Sequence, residues 1–258
     1  MASILLLSAL ATVALFVVTW AVGLRIGDIS IVDPVWGPAF VVVALIAALV
    51  GEGDLARRVL LLVLVAAWGL RLGWHLTRRK LGDRTEDRRY AAIRERRGAS
   101  FPLYSLVVVF GSQALLVLIV SLPVQVAATR DESLGVAVLA GVLLFLLGLS
   151  FEAIGDEQLR RFKTDPRNHG QVMDRGLWRY TRHPNYFGDA CVWWGLWLVA
   201  FVAAPGALWW TAIGPLVMTG FLVAGTGKKL LESDIGERRP AYADYVRRTS
   251  GFVPLPPR

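Results

Sequence analysis

Gly176-Leu177-Trp178-Arg179-Tyr180-Thr181-Arg182-His183-Pro184-Asn185-Tyr186-Phe187-Gly188-Asp189 runs straight into an apolar segment at residues 190–204. Two arginines, a histidine, two tyrosines, an asparagine and an aspartate thus stand at the mouth of a stretch long enough to enter a membrane. Polar groups packed this densely at a membrane edge are costly unless they hold something. The stretch therefore reads both as the start of a membrane helix and as a site.

Outward from it, the rest of the chain has the same character. Hydrophobic residues make up 55% of the 258 positions, charged ones only 19%, and the mean hydropathy is +0.52. A soluble domain of this length rarely has such a balance, so the expected class is an all-α polytopic membrane protein. Apolar runs recur at 2–24, 31–50, 59–76, 104–128, 134–154, 185–204 and 208–227. With roughly 20 residues needed to cross a bilayer core, these predict seven transmembrane helices. The second and third are short or interrupted, and Pro34 and Pro38 open the second. Tilted or partly re-entrant paths therefore stay open for both. The apolar runs are too long and continuous for β alternation.

Charge sets the orientation. Of the 28 Lys and Arg, 23 fall in residues 78–97, 160–182 and 228–258, whereas the alternate connections hold only Arg57, Arg58 and Arg130. Positive residues mark the cytoplasmic side. The expected topology has the N-terminus outside and the C-terminus cytoplasmic. The first run has no basic residue ahead of it and exceeds a signal-peptide core, which predicts a retained span. A net charge of +8 and a pI near 10.1 then reflect topogenic charge and anionic ligands, not nucleic acid. One membrane domain over 1–258 accounts for the length, with helices 1–4 in 1–128 and helices 5–7, loops and tail in 134–258. The lone Cys191 excludes an internal disulfide and a Cys-rich zinc site. His75, His169 and His183 are dispersed without paired spacing, which argues against a catalytic metal.

Pro184 suits a first helical turn, so the sixth span is expected to begin near His183. Asn185 and Asp189 then share one face, one turn inside the membrane. An amide followed by a carboxylate can take a carboxamide or ribose hydroxyls, and Arg179, Arg182 and His183 just outside can meet phosphate. A basic juxtamembrane loop with a capping Asn is the plain alternative. On the fifth span, which runs on into the cytoplasm, Glu152, Asp156, Arg160 and Lys163 form one polar stripe. Asp156–Arg160 and Glu157–Arg161 also have the spacing of ordinary ion pairs. Acids for ribose and bases for phosphate on one face suit a dinucleotide.

Asp33, at the start of the second span, fits two roles: an intramembrane functional carboxylate, or the cap of a helix whose first turn holds Pro34. His75 lies one turn beyond Arg71 on the third span and is either a proton donor or a plain interfacial histidine. Gly225-Thr226-Gly227-Lys228-Lys229 imitates part of a phosphate loop but lacks its spacing, and no Gly-x-Gly-x-x-Gly opens a βαβ unit.

At these residues the chain resembles the membrane-bound steroid 5α-reductase family and its sterol-reductase relatives. Residues 182–189 resemble the Arg-His-x-Asn-Tyr-x-Gly-Asp signature. Residues 156–167 resemble the polar helix before it, and Tyr242-Ala243-Asp244-Tyr245-Val246-Arg247-Arg248 resembles the family's tail. The resemblance covers roughly residues 151–257. It implies a seven-span fold and an NADPH groove lined by Asp156, Arg160, Lys163, Tyr180, Arg182, His183, Asn185 and Asp189, closed by Tyr245. In that family a glutamate on the second span and a tyrosine on the third hold an enone carbonyl. Here the second span offers Asp33, and the third has Trp68 or His75 where the tyrosine is expected.

The expected activity is hydride transfer from NADPH to an activated C=C bond of a lipophilic, steroid- or isoprenoid-like substrate entering from the bilayer. Asp33, His75 and Asp189 are the proton-donor candidates, and the setting is a bacterial inner membrane. Two other classes stay open. One is an S-adenosylmethionine-dependent isoprenylcysteine- or phospholipid-type methyltransferase, which shares a shorter Arg-His-Pro motif. The other is a non-enzymatic membrane scaffold whose charges are topogenic. Substrate identity and oligomeric state are not legible.

Overall fold

The computed structural model describes residues 1–83, 85–202, 204–224 and 241–258. Among them the chain is helical, and the β structure is limited to one isolated parallel bridge between Thr181 and Ser250. Six helical stretches are long and apolar enough to cross a membrane: Ala2–Ile26, Ile29–Val50, Leu55–Gly82, Arg88–Val120, Val138–Thr164 and Pro205–Ala224. The chain is a multi-pass membrane protein. The expected sixth span forms an 18-residue helix, Pro184–Phe201, outside those six. Asn185 and Asp189 in its first turns and Trp193, Trp194 and Trp197 beyond them dilute its hydropathy. The phosphate-loop-like stretch at 225–229 lies outside the described residues.

Two compact units divide the chain. The first comprises residues 1–136 and 200–214. Its helices are α1 (Ala2–Ile26), α2 (Val32–Val50), α3 (Leu55–Gly82), α4 (Arg88–Arg97), α5 (Phe101–Tyr104), α6 (Ser112–Val120) and α7 (Leu122–Ala127). The short α10 (Pro205–Leu208) belongs with them. The third span overruns its expected 59–76 at both ends. Asp54 caps it by accepting from the Arg57 amide at 2.8 Å, and the long side chains Arg78, Arg79 and Lys80 let its last turns leave the apolar zone. Between α5 and α6 the backbone loosens into a π-helical stretch, Ser105–Gly111, and Pro123 then breaks the path at Ser121.

Helices α2 and α3 form the tightest hairpin of this unit. A Cβ on Gly37 would meet the Gly69 carbonyl oxygen at 2.3 Å, and one on Gly73 would meet the Pro38 ring at 2.8 Å. Only glycine permits this backbone approach, the usual route to helix association in a membrane. Phe40 packs edge-on between Trp36 and Trp68, with centroids at 5.1 and 5.4 Å.

The second unit holds residues 137–199 and 215–258. Its helices are α8 (Val138–Thr164), α9 (Pro184–Phe201), the body of α11 (Ile213–Ala224) and α12 (Ala241–Arg248). Pro184 opens α9, where the sequence places it. Trp194 joins α9 to α11 by donating Nε1–H to Thr219 Oγ1 at 3.1 Å.

Candidate functional site

The polar face of the second unit is set by glycines. On α8, Gly141, Gly148 and Gly155 recur every seven residues, and on α9 Gly188 and Gly195 do the same. A Cβ on Gly148 would lie 2.4 Å from the Gly188 carbonyl oxygen, and one on Gly195 2.6 Å from the Phe145 amide. The two helices therefore touch backbone to backbone, which brings short polar side chains on their facing edges within reach of each other. Glu152 and Asp156 on α8 are both buried, and Asn185 on α9 donates Nδ2–H to Asp156 Oδ1 at 3.3 Å. Two residues singled out separately in the sequence, 29 positions apart, thus form one pair. Asp189, half-buried, follows one turn deeper on the Asn185 face.

The outer half of the α8 stripe behaves differently. Arg160 and Lys163 are exposed, and Arg160 makes a two-pronged contact with Glu157 at 2.7 Å, with Arg161 joining at 2.6 Å. The Asp156–Arg160 pair read from spacing is replaced by Glu157–Arg160, because Asp156 faces α9 while Glu157 lies on the open flank. Exposed pairs of this kind contribute little, because water screens them and holding two long side chains in place costs entropy.

The connection before α9 is fastened to α8. Trp178 donates its indole N–H to the Gly155 carbonyl at 3.0 Å, and the Leu177 amide donates to Gln158 Oε1 at 3.0 Å. Gly176 holds φ at 59°, a left-handed conformation that favours glycine, with the Gln158 side chain packed against it.

The C-terminal segment then lies along this connection. Tyr245, buried on α12, donates its hydroxyl to the Trp178 carbonyl, and burial raises that hydroxyl's pKa. Arg182, read from sequence as a phosphate ligand, sends Nη1 to the Thr249 carbonyl at 2.6 Å and the Val246 carbonyl at 3.3 Å. These are open carbonyls at the end of α12, where a cation is favoured. Backbone bonds Arg182 N–H to Ser250 O at 2.9 Å and Leu255 N–H to Tyr180 O at 3.0 Å complete the seam. His183 is buried and stacks on Tyr186 at 5.2 Å, while Arg179 and Tyr180 remain exposed.

In the first unit, Asp33 does not cap α2. The residue before that helix is Ile31, with no side-chain cap, and Asp28 instead caps the preceding turn through the Ser30 amide at 2.9 Å. Asp33 accepts from two residues of α4: the Tyr90 hydroxyl at 2.7 Å and Arg89 Nη2 at 2.9 Å. Tyr90 is buried. The third span carries no tyrosine, and the tyrosine beside Asp33 comes from the next helical segment. No pattern inside 88–97 distinguishes Tyr90 in the sequence, because its partner is 57 residues away.

The α4 segment is latched by ionic contacts around Asp33. Glu86 accepts from Arg94 at 2.8 Å and from the Ile29 amide at 3.0 Å, and Lys80 pairs with Asp28. Burial alone would raise the pKa of Asp28 and Asp87. Hydrogen bonds from Lys80 and Ser30 on Asp28, and from Arg89 on Asp87, outweigh it and hold both below the usual carboxylate value. His75 is half-buried on α3, one turn beyond Arg71. Among the described residues, no group of three or more His, Cys, Asp or Glu is placed to hold a metal ion.

A family model described as a protein of unknown function, DUF1295, matches residues 19–249. An uncharacterized protein of Schizosaccharomyces pombe is 25% identical over 263 aligned positions, covering 92% of this chain and 76% of the yeast protein. No solved structure matches.

Proposed function

This chain belongs to the DUF1295 family, and we propose that it is a membrane-embedded, NADPH-dependent reductase of an activated C=C bond in a lipophilic, steroid- or isoprenoid-like substrate. The observation that carries this reading is the Asp156–Asn185 pair at 3.3 Å on the glycine-packed faces of α8 and α9. A buried carboxylate beside a carboxamide is a donor and acceptor set that fits ribose hydroxyls and a nicotinamide amide. Asp189 extends that set inward, and Arg160, Lys163 and His183 supply cationic or protonatable groups toward phosphate. Arg182 and Tyr245 act by holding the tail along residues 178–183.

When bound, the nicotinamide supplies the hydride. The chain's own part is to position it and to donate a proton. For that proton we assign the Asp33–Tyr90–Arg89 cluster. Asp33 accepts from both neighbours, so the proton stands on the Tyr90 hydroxyl and is committed to Asp33; to act as the donor, Tyr90 must release Asp33 and turn that O–H to a substrate carbonyl. His75 is the reserve donor on α3.

Counting α9 as a seventh crossing puts the N-terminus outside and gathers the three basic segments on the cytoplasmic face, the side on which a soluble cofactor is available. The setting is the inner membrane of a bacterium. The test is consumption of NADPH by the purified chain across a panel of lipophilic enones, with product analysis for the saturated ketone. Binding of S-adenosylmethionine with no binding of NADPH would overturn the reading in favour of methyl transfer.

A further inference from the structure

Between the connection that precedes α9 and the end of the chain lies a cavity of about 550 Å3. It is lined by Asp174, Arg175, Arg179, Arg248 and Arg258 with the backbone of Gly176. All of these belong to the second unit and lie outside the apolar helices. Four guanidinium groups thus share one concave surface with a single acidic side chain, Asp174, which is committed to Arg248 at 2.6 Å. Elsewhere the arginines pair locally: Arg160 and Arg161 with Glu157, Arg167 with Asp165, Arg247 with Asp244, Arg94 with Glu86. Among the described residues, the Arg175, Arg179 and Arg258 side chains make no hydrogen bond or close salt bridge, although the charge of Arg175 also acts on Asp165.

Freely solvated arginines would spread apart, since like charges repel. Here the backbone prevents it. The Arg258 amide donates to the Arg248 carbonyl at 3.0 Å, Leu255 N–H bonds Tyr180 O at 3.0 Å, and Gly176 turns the chain at φ 59°. The cations are therefore preorganised around space, and the planar fork of arginine is the donor suited to phosphate oxygens. A volume in the range of small-molecule pockets holds more than one phosphate group.

The geometry points to a binding site for a phosphorylated organic anion, formed by Arg175, Arg179, Arg248 and Arg258. It shares no residue with the Asp156–Asn185 pair and does not depend on the reductase reading. The phosphate can come from a soluble ligand or from a phospholipid headgroup. The test is thermal unfolding of the full chain in phosphatidylcholine nanodiscs at constant ionic strength. One arm titrates inorganic pyrophosphate, and the other replaces a fraction of the lipid with phosphatidic acid.

A rise in melting temperature with pyrophosphate identifies a soluble ligand, and a rise with phosphatidic acid alone identifies a lipid. In either case the Arg179→Gln/Arg258→Gln double variant should bind at least about tenfold more weakly. Both residues are exposed, so the fold should persist, and Arg167→Gln, outside the cavity, should bind as the parent does. No shift in either arm, or equal binding by the double variant, overturns the assignment. NADPH binding is read separately, so a chain that binds pyrophosphate but no NADPH keeps this site and loses the reductase reading.

Discussion

The Tyr90 hydroxyl donates to Asp33 Oδ1 across 2.7 Å, joining the first turn of α2 to α4, the opening segment of the Arg88–Val120 stretch. Arg89 holds the other carboxylate oxygen at 2.9 Å. Deleting the phenolic proton while keeping the ring separates chemistry from packing. Tyr90→Phe should lower turnover of an enone by roughly a hundredfold, with the affinity for NADPH unchanged. Turnover by Tyr90→Phe at the parent rate would remove Tyr90 from the reaction.

The α8–α9 contact makes a separate demand. A Cβ on Gly188 would stand 2.5 Å from the Gly148 carbonyl oxygen, so Gly188→Ala must push two backbones apart. The expected loss is about 1–3 kcal/mol, read as a fall in melting temperature. Gly220→Ala on α11 meets nothing within 4 Å and should be neutral or mildly stabilising. Equal behaviour of the two variants would contradict the packing described.

Asn185→Ala removes the donor to Asp156 without touching a glycine contact. Its effect should fall on ligand binding. The Kd for NADPH, followed by nucleotide fluorescence, should rise by roughly tenfold, while the melting temperature of the ligand-free protein moves far less.

Arg182 carries a structural load that its place in the motif conceals. With Nη1 on the Thr249 and Val246 carbonyls, Arg182→Gln should loosen the C-terminal segment by about 1.5–3 kcal/mol. Limited proteolysis should then cut within residues 249–258 faster than in the parent. An unchanged cleavage rate would return Arg182 to a purely ligand-facing role.

Asp28 and Asp87 make stability depend on pH. Both carboxyls titrate below the usual value in the folded chain, so the unfolded chain binds protons first as pH falls. The stabilisation is fully present above pH about 4, the ordinary carboxylate value, and is lost as pH drops through the lower folded value. Melting temperature measured from pH 6 down to pH 3 should decline on that limb. Asp28→Asn should flatten it while lowering stability at neutral pH.

Much of the second unit is legible in the sequence. Pro184 marks a helix start by its missing N–H, and residues 185–189 mark the face by their spacing. The burial of Glu152 and Asp156 follows from their register on α8. The seven-residue glycine spacing on α8 and α9 was also there to read, since small residues at one face of two apolar helices signal close packing. The Asp33–Tyr90 pair and the docking of the tail on Arg182 were not, because neither has a local signature.

Composition and periodicity alone determined that this is a helical membrane protein and which helix edges are polar, because burial in lipid constrains every residue of a span. Tertiary packing alone decided which polar groups meet. It placed Asp156 against Asn185 in preference to Arg160, gave Asp33 a tyrosine from α4, and turned Arg182 toward the end of α12. Those choices depend on which backbones come close enough to touch. A side chain of a given charge has several partners within sequence range, and only the glycine contacts and the turns between helices select one.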